Sequence, residues 1–189
     1  FQLPASAEID IASGATLDVN GTIDVTGATV TGLTTGKVLQ VVQTVKTDTT
    51  STTATLGTLV DMTGMSVAIT PSATTSKVLV FWDIQVGCVA NTGINIRLLR
   101  DAATPILGDA AGSRTRVTAL VSSPHINIVG RGSGVYLDSP SSTSSTTYKL
   151  QWSADWATTV SLNRSNADTD SALTPVSDQH LTRPTLYAV

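Results

Sequence analysis

The sequence predicts an all-β protein, and three observations predict it. Thr and Ser together make up roughly a quarter of the chain, a β-branched and hydroxylic bias that favours strands over helices. Apolar and polar residues alternate with period two through most segments, the spacing of side chains on a pleated strand. Turn residues recur at intervals of about 8–12 positions, so that about ten short strands fit, the signature of a sandwich or barrel.

Length and composition bound the rest. With 189 residues, 19.5 kDa and 41% hydrophobic content, the chain suffices for one ordinary domain with a short appendage. Charged residues are only 13%, about half the usual share, and the net charge is −3, so no polycation for nucleic acid is present. The single cysteine, Cys88, has no internal disulfide partner and is expected as a small buried apolar residue of a strand. No apolar run approaches the length of a membrane-spanning helix, and residues 1–7 are neither basic nor long enough for a signal peptide. The first residue is Phe, which leads us to expect a processed chain or a fragment with an attachment function upstream.

Residues 7–36 form a repeat. Ile9 and Ile11, Leu17 and Val19, Ile23 and Val25, and Val30 sit in short alternations separated by Ser13-Gly14, Asn20-Gly21, Thr26-Gly27 and Thr31-Gly32. Each unit of about six residues supplies too little apolar area to fold alone. Identical copies wound about one axis would let these seven aliphatics meet, which predicts a homotrimeric shaft over residues 1–36 ahead of a head domain over 37–189. A flexible Gly/Thr linker is the bland alternative, but a linker needs no regular aliphatics.

From residue 37 onward the alternations are longer. Residues 37–46 carry Leu39, Val41 and Val45 on one face and Val38 and Val42 on the other, as in a strand covered on both sides. Residues 48–53 are a polar loop. Residues 55–61 and 65–70 are expected as a hairpin turning at Thr63-Gly64, ended by Pro71. Residues 77–87, the most apolar run, should be the central strand. Residues 94–100 form a strand with Ile94, Ile96 and Leu98 inward, followed by a turn at 101–105. Three short strands are expected at 114–121, 124–130 and 133–138, then an exposed Ser/Thr loop at 139–146. In residues 147–156 the phase places Tyr148, Leu150, Trp152, Ala154 and Trp156 on one inward face. A strand at 158–163, a long polar loop at 164–178 and a closing strand at 182–189 complete the chain; Pro184 leaves the placement of that last strand open.

The Gly-punctuated repeat over 17–27, the segment Gly36-Lys37-Val38-Leu39-Gln40-Val41-Val42-Gln43, and Ile69-Thr70-Pro71-Ser72 followed by Ser76-Lys77-Val78-Leu79-Val80 resemble small fibre and virion-surface proteins of tailed bacteriophages, particularly those of cyanobacterial hosts. The resemblance implies a trimeric jelly-roll head, similar in outline to complement C1q and tumour-necrosis-factor folds, on a thin shaft. The implied function is structural and adhesive: a fibre or spike component, extracellular on the virion, whose head contacts the host and whose N-terminus joins other virion proteins. A trimeric capsid decoration protein and a glycan-cleaving tail spike are the alternatives.

Chemistry-bearing patterns are sparse. His125 and His180 are the only histidines, no Gly-x-Ser-x-Gly is present, and Gly132-Ser133-Gly134 lacks the spacing. Asp138 and Asp155 are the one conceivable carboxylate pair, more simply read as solvated, so no catalytic residue is assigned. One Cys and two distant His make no zinc site, and Asp168-Thr169-Asp170 lacks the Gly and Glu of a calcium loop; neither metal nor cofactor is expected. Arg114-Thr115-Arg116 reads as a sheet-edge guard or a contact to an anionic glycan. Trp82, Trp152 and Trp156 are expected in the core or at a subunit interface. A host glycan, if bound, would meet the loops 89–93, 139–146 and 164–178, with Tyr136, Ser141, Asn166, Asp168 and Asp170 as candidate contacts.

Overall fold

The computed structural model describes residues 20–21, 38–55, 57–89, 92–102, 104–168 and 183–189. The expected axial residues Ile9, Ile11, Leu17, Val19, Ile23, Val25 and Val30 lie outside these, as does Asp170. The chain divides between Lys37 and Val38, and all the strands below belong to the part from Val38 to Val189.

This part is all-β and contains two antiparallel sheets that share one core. Its strands are β1 (Val42–Val45), β2 (Thr50–Thr52), β3 (Val60–Ile69), β4 (Val78–Gly87), β5 (Gly93–Arg100), β6 (Thr104–Ile106), β7 (Ala119–Ser122), β8 (Gly130–Asp138), β9 (Thr146–Ala154), β10 (Val160–Leu162) and β11 (Thr185–Ala188). One sheet runs β1-β11-β4, with β8 on the other edge of β4 and β10-β2 extending the same sheet beyond β11. The other runs β3-β9-β5, with β6 and β7 sharing the far edge of β5.

Four long pairings are nested one inside another. Val42 lies opposite Ala188, Val67 opposite Tyr148, Val80 opposite Tyr136 and Asn95 opposite Leu120. The strands of this part therefore form one long hairpin of strand pairs, rolled so that successive pairs fall in alternate sheets. Nesting also decides which loops share an end. At the proximal end lie Val42, Ala188 and the connecting residues 70–77, 101–102 and 139–145; at the distal end lie 88–89, 92, 123–129, 155–159 and 163–168.

The core forms where the period-two faces meet. Val78, Val80, Trp82, Ile84 and Val86 of β4 and Leu186 and Ala188 of β11 pack against Ile94, Ile96 and Leu98 of β5 and Tyr148, Leu150, Trp152 and Ala154 of β9, all buried. As the sequence predicts, β4 is the central strand, and the even positions of β9 point inward through Ala154. Cys88 is buried and unpaired with any other cysteine.

Several sequence expectations are corrected. The 55–70 region is no hairpin: Val60–Ile69 is the single strand β3, which pairs with β9 on both sides of Gly64, and the register jumps from Asp61↔Gln151 to Ser66↔Lys149. Gly64, at φ +82°, supplies the left-handed turn of this bulge, which places both Met62 and Met65 in the core. The expected loop 48–53 contains β2, held by β10, and the expected turn at 101–105 contains β6, held by β5. Residues 124–129 are a loop rather than a strand, and of the expected 114–121 strand only 119–121 lie in β7, which extends to Ser122. Residues 38–41 precede β1, with Val38, Leu39 and Val41 exposed rather than covered. Pro184 stands just before β11, which is an inner strand between β1 and β4; its carbonyl accepts the Lys46 N–H.

The outer face of the β3-β9-β5 sheet is polar and internally bonded. Lys149 Nζ and Gln151 Nε2 donate to Asp61 at 2.8 and 2.6 Å, and Arg97 donates to Gln151 Oε1. The Lys149 bond, followed by that from Gln151, holds the Asp61 carboxyl below its ordinary value of 3.8. A carboxyl lowered in the folded state adds stability above its unfolded pKa, and that increment is lost as pH falls through the folded pKa. Asp61→Asn is expected to lower the urea midpoint near neutrality, with the gap to wild type closing between about pH 5 and about pH 2. Exposure of this pair keeps the effect small.

Candidate functional site

The distal end is the more built of the two. Ser123 turns the 123–129 loop by donating its hydroxyl to the His125 carbonyl at 2.8 Å, and Ile128 N–H bonds the same carbonyl at 3.0 Å. The Ile126 carbonyl accepts from both Asn166 and Ala167 N–H at 3.1 Å, which fastens the 163–168 segment to the 123–129 loop. Within that segment Ser165 Oγ accepts the Asp168 N–H at 3.2 Å and Arg164 pairs with Asp168 at 3.0 Å. Asn163 and Asp168 both take positive φ, a turn geometry that Asn and Asp tolerate better than most residues. Gly87, at the end of β4, lets this segment lie directly on the sheet.

Trp156 sits at this end and is 69% exposed, against its expected place in the core. β9 ends at Ala154; the Asp155 N–H makes one more bond in register, to the Gly93 carbonyl, its Oδ1 accepts from the buried Asn95 amide at 2.6 Å, and the chain then turns, the Thr158 N–H bonding the Trp156 carbonyl at 2.8 Å. The alternation of residues 147–156 thus continues two positions past the strand that produces it. Trp82 and Trp152 are buried as expected.

The candidate contacts do not form one group. Asn166 and Asp168 lie at the distal end, while Ser141 lies in the 139–145 connection at the proximal end, where Lys77 Nζ donates to Ser139 Oγ at 2.6 Å. Tyr136 is on β8, opposite Val80, and is partly exposed at the sheet edge. A single flat contact therefore reaches Asn166 and Asp168 together, without Ser141.

Asp138 and Asp155 are not a carboxylate pair. Asp138 bonds Tyr148 near the start of β9 and Asp155 follows its last residue, seven positions or about 23 Å along an extended strand. Nor is Asp138 solvated. It is buried, accepts the Tyr148 hydroxyl at 2.6 Å and takes both oxygens' bonds from Arg100 Nη1 at 3.0 and 2.8 Å. Burial, and then the carboxylate it donates to, push the Tyr148 phenol up from its ordinary value. Because Asp138 ends β8 while Arg100 and Tyr148 belong to β5 and β9, this cluster clips one sheet to the other. No alternation pattern signals such a clip, since its three members come from three different strands, β5, β8 and β9.

The remaining chemistry-bearing residues are accounted for by local bonds. The exposed His125 accepts the Asn127 N–H through Nδ1 at 3.2 Å, in a loop rather than on a strand. Burial pushes the Cys88 thiol up, away from the thiolate that nucleophilic chemistry needs. Arg116 donates to the Gly108 carbonyl at 2.7 Å. Gly130, Gly132 and Gly134 are core-facing positions of β8, where a side chain would collide with Ser122, Val121 and Trp82 respectively. Among the described residues no three His, Cys, Asp or Glu side chains gather as metal ligands.

The chain matches no family model and no curated protein sequence, so its own residues and geometry carry the functional reading.

Proposed function

We propose that this chain is a structural and adhesive protein of a bacteriophage virion, a homotrimeric fibre or spike component whose jelly-roll head contacts the host surface. The observation that carries the reading is the nested pairing of β1 with β11, β3 with β9, β4 with β8 and β5 with β7, downstream of a Gly-punctuated aliphatic repeat. A rolled double sheet of eight main strands is the jelly-roll arrangement, used by viral capsid and lectin domains. The repeat supplies the reason for three chains: its aliphatics have no partner element within their own sequence, and symmetry mates provide one.

The head acts without chemistry. Asp138 is committed to the sheet clip, and the exposed residues of the distal end include Trp156, Asp168 and the loop residues Pro124, His125 and Ile126, suited to contact rather than turnover. A saccharide stacks on an exposed aromatic face, and three weak contacts on one trimer gain avidity. Its place is the outside of the virion, with the N-terminal segment joining other virion proteins.

Two measurements on the full chain test this. Light scattering is expected to give three times 19.5 kDa; a monomer at all concentrations overturns the trimer. Immobilised protein presented with bacterial surface polysaccharides is expected to retain polymer of unchanged length, and a Trp156→Ala variant to retain about tenfold less, one stacked aromatic being worth roughly that much. Shortened polymer would make the protein a glycan-cleaving spike instead.

A further inference from the structure

The two outer faces of the sandwich differ in kind. That of the β3-β9-β5 sheet is the bonded polar ladder of Asp61, Gln151, Arg97 and Lys149. That of the β1-β11-β4-β8 sheet carries two apolar rows. In the first, Leu137 lies opposite Leu79, and Leu79 exchanges both backbone hydrogen bonds with Val189, at 2.8 and 3.0 Å. Val42, which pairs with Ala188, is preceded by exposed Val41. In the second, Val135 lies opposite Phe81, whose ring stacks on that of Tyr187 with centroids 4.4 Å apart. Val135 is 69% and Leu137 58% exposed.

We infer that these two rows are covered by a second copy of this chain. The inference rests on the homo-oligomeric reading above and assigns the head its own share of the contact. Three observations favour a copy over another partner. First, the charged groups flanking the rows, Asp83 and Arg131, neutralise each other at 2.5 Å, so identical faces approach without like-charge repulsion. Second, the rows lie at the proximal end and run on into exposed Val38, Leu39 and Val41, which lead back along the chain to the aliphatic repeat. Third, β8 is nine residues long, and among the described residues it pairs only with β4. A long edge strand beside an apolar face is what a free monomer avoids, and what an assembled one hides.

The test is hydroxyl-radical footprinting of the full chain, with the mass followed by light scattering at the same concentrations. Leu120, 62% exposed on β7 of the other sheet, is the internal reference for Leu137. In the assembled protein the Leu137 to Leu120 labelling ratio is expected to fall about tenfold below that of the urea-unfolded chain, as at the dry centre of an interface. On dilution, the ratio is expected to recover in step with the loss of mass. An assembled protein with the ratio unchanged overturns this interface and leaves the oligomeric reading standing. A monomer with the ratio unchanged overturns both. Protection that persists in a monomer assigns the cover to the chain's own segments and overturns the second copy.

Discussion

Asp138→Ala is expected to lower the stability of the head by about 3 kcal/mol, because it leaves two groups without the partner that justifies their burial. The Tyr148 hydroxyl, on a fully buried side chain, loses its acceptor, and the Arg100 guanidinium loses both oxygens. Lost attraction is the smaller part of the cost; the larger is a buried donor with nothing to bond. For a head of this size, a loss of about 3 kcal/mol lowers the melting temperature by roughly 6–12 °C at fixed protein concentration. Tyr148→Phe removes only the hydroxyl and leaves Asp138 with Arg100, so about 1 kcal/mol is expected. Equal losses for the two variants in urea unfolding would show that the carboxylate does not act as the shared acceptor.

Gly87→Ala is expected to cost a similar amount for a different reason. A Cβ there would stand 2.6 Å from Asn166 N and 2.7 Å from Ser165 C, and closer still to Arg164 O. All three are backbone atoms, so no side chain can swing aside; the 163–168 segment has to lift off β4. Lifting it strains the two bonds from Asn166 and Ala167 to the Ile126 carbonyl and the turn at Asn163. Overpacking against backbone costs about 3 kcal/mol. Hydrogen exchange is expected to show the amides of Asn166 and Ala167 deprotected while those of β5 and β9 stay protected. Gly134→Ala makes the comparison: its Cβ would meet the Trp82 indole at 2.6–2.9 Å, a side chain with some room to tilt, so a smaller loss confined to β4 and β8 is expected. If Gly87→Ala leaves the unfolding midpoint and the Asn166 amide unchanged, the close seating of this segment is wrong.

What sequence reasoning reached, and what it missed, divides along a physical line. Period-two alternation is a local property, imposed by the pleat and by burial of one face, so β4, β5 and β9 and their inward residues are legible in order. The all-β class follows from the same alternation and from the Thr/Ser bias. Local reading fails where the strand is irregular or its partner distant. Met62 to Met65 look like a turn because Gly64 takes a turn conformation, yet β9 pairs on both sides of it and makes it a bulge. β2 is too polar and short to announce itself, and exists because β10 pairs with it. Trp156 keeps the phase of β9 after the strand has ended.

The candidate contacts show the same division. Exposed polar loops are visible as composition, but which end of the sandwich each occupies depends on strand direction. The nested pairings send 139–145 to the proximal end and 163–168 to the distal one. The clip of Arg100, Asp138 and Tyr148, the three core-facing glycines of β8 and the apolar rows of Leu79, Val135 and Leu137 are likewise products of pairing. By itself the sequence determined the class, the strands with strong alternation and the aliphatic repeat, since each depends on neighbours a few residues apart. The tertiary structure alone decided which strands meet, which loops share an end and which outer face is left apolar, because most of those contacts join residues roughly 30 to 150 positions apart, beyond the reach of any local pattern.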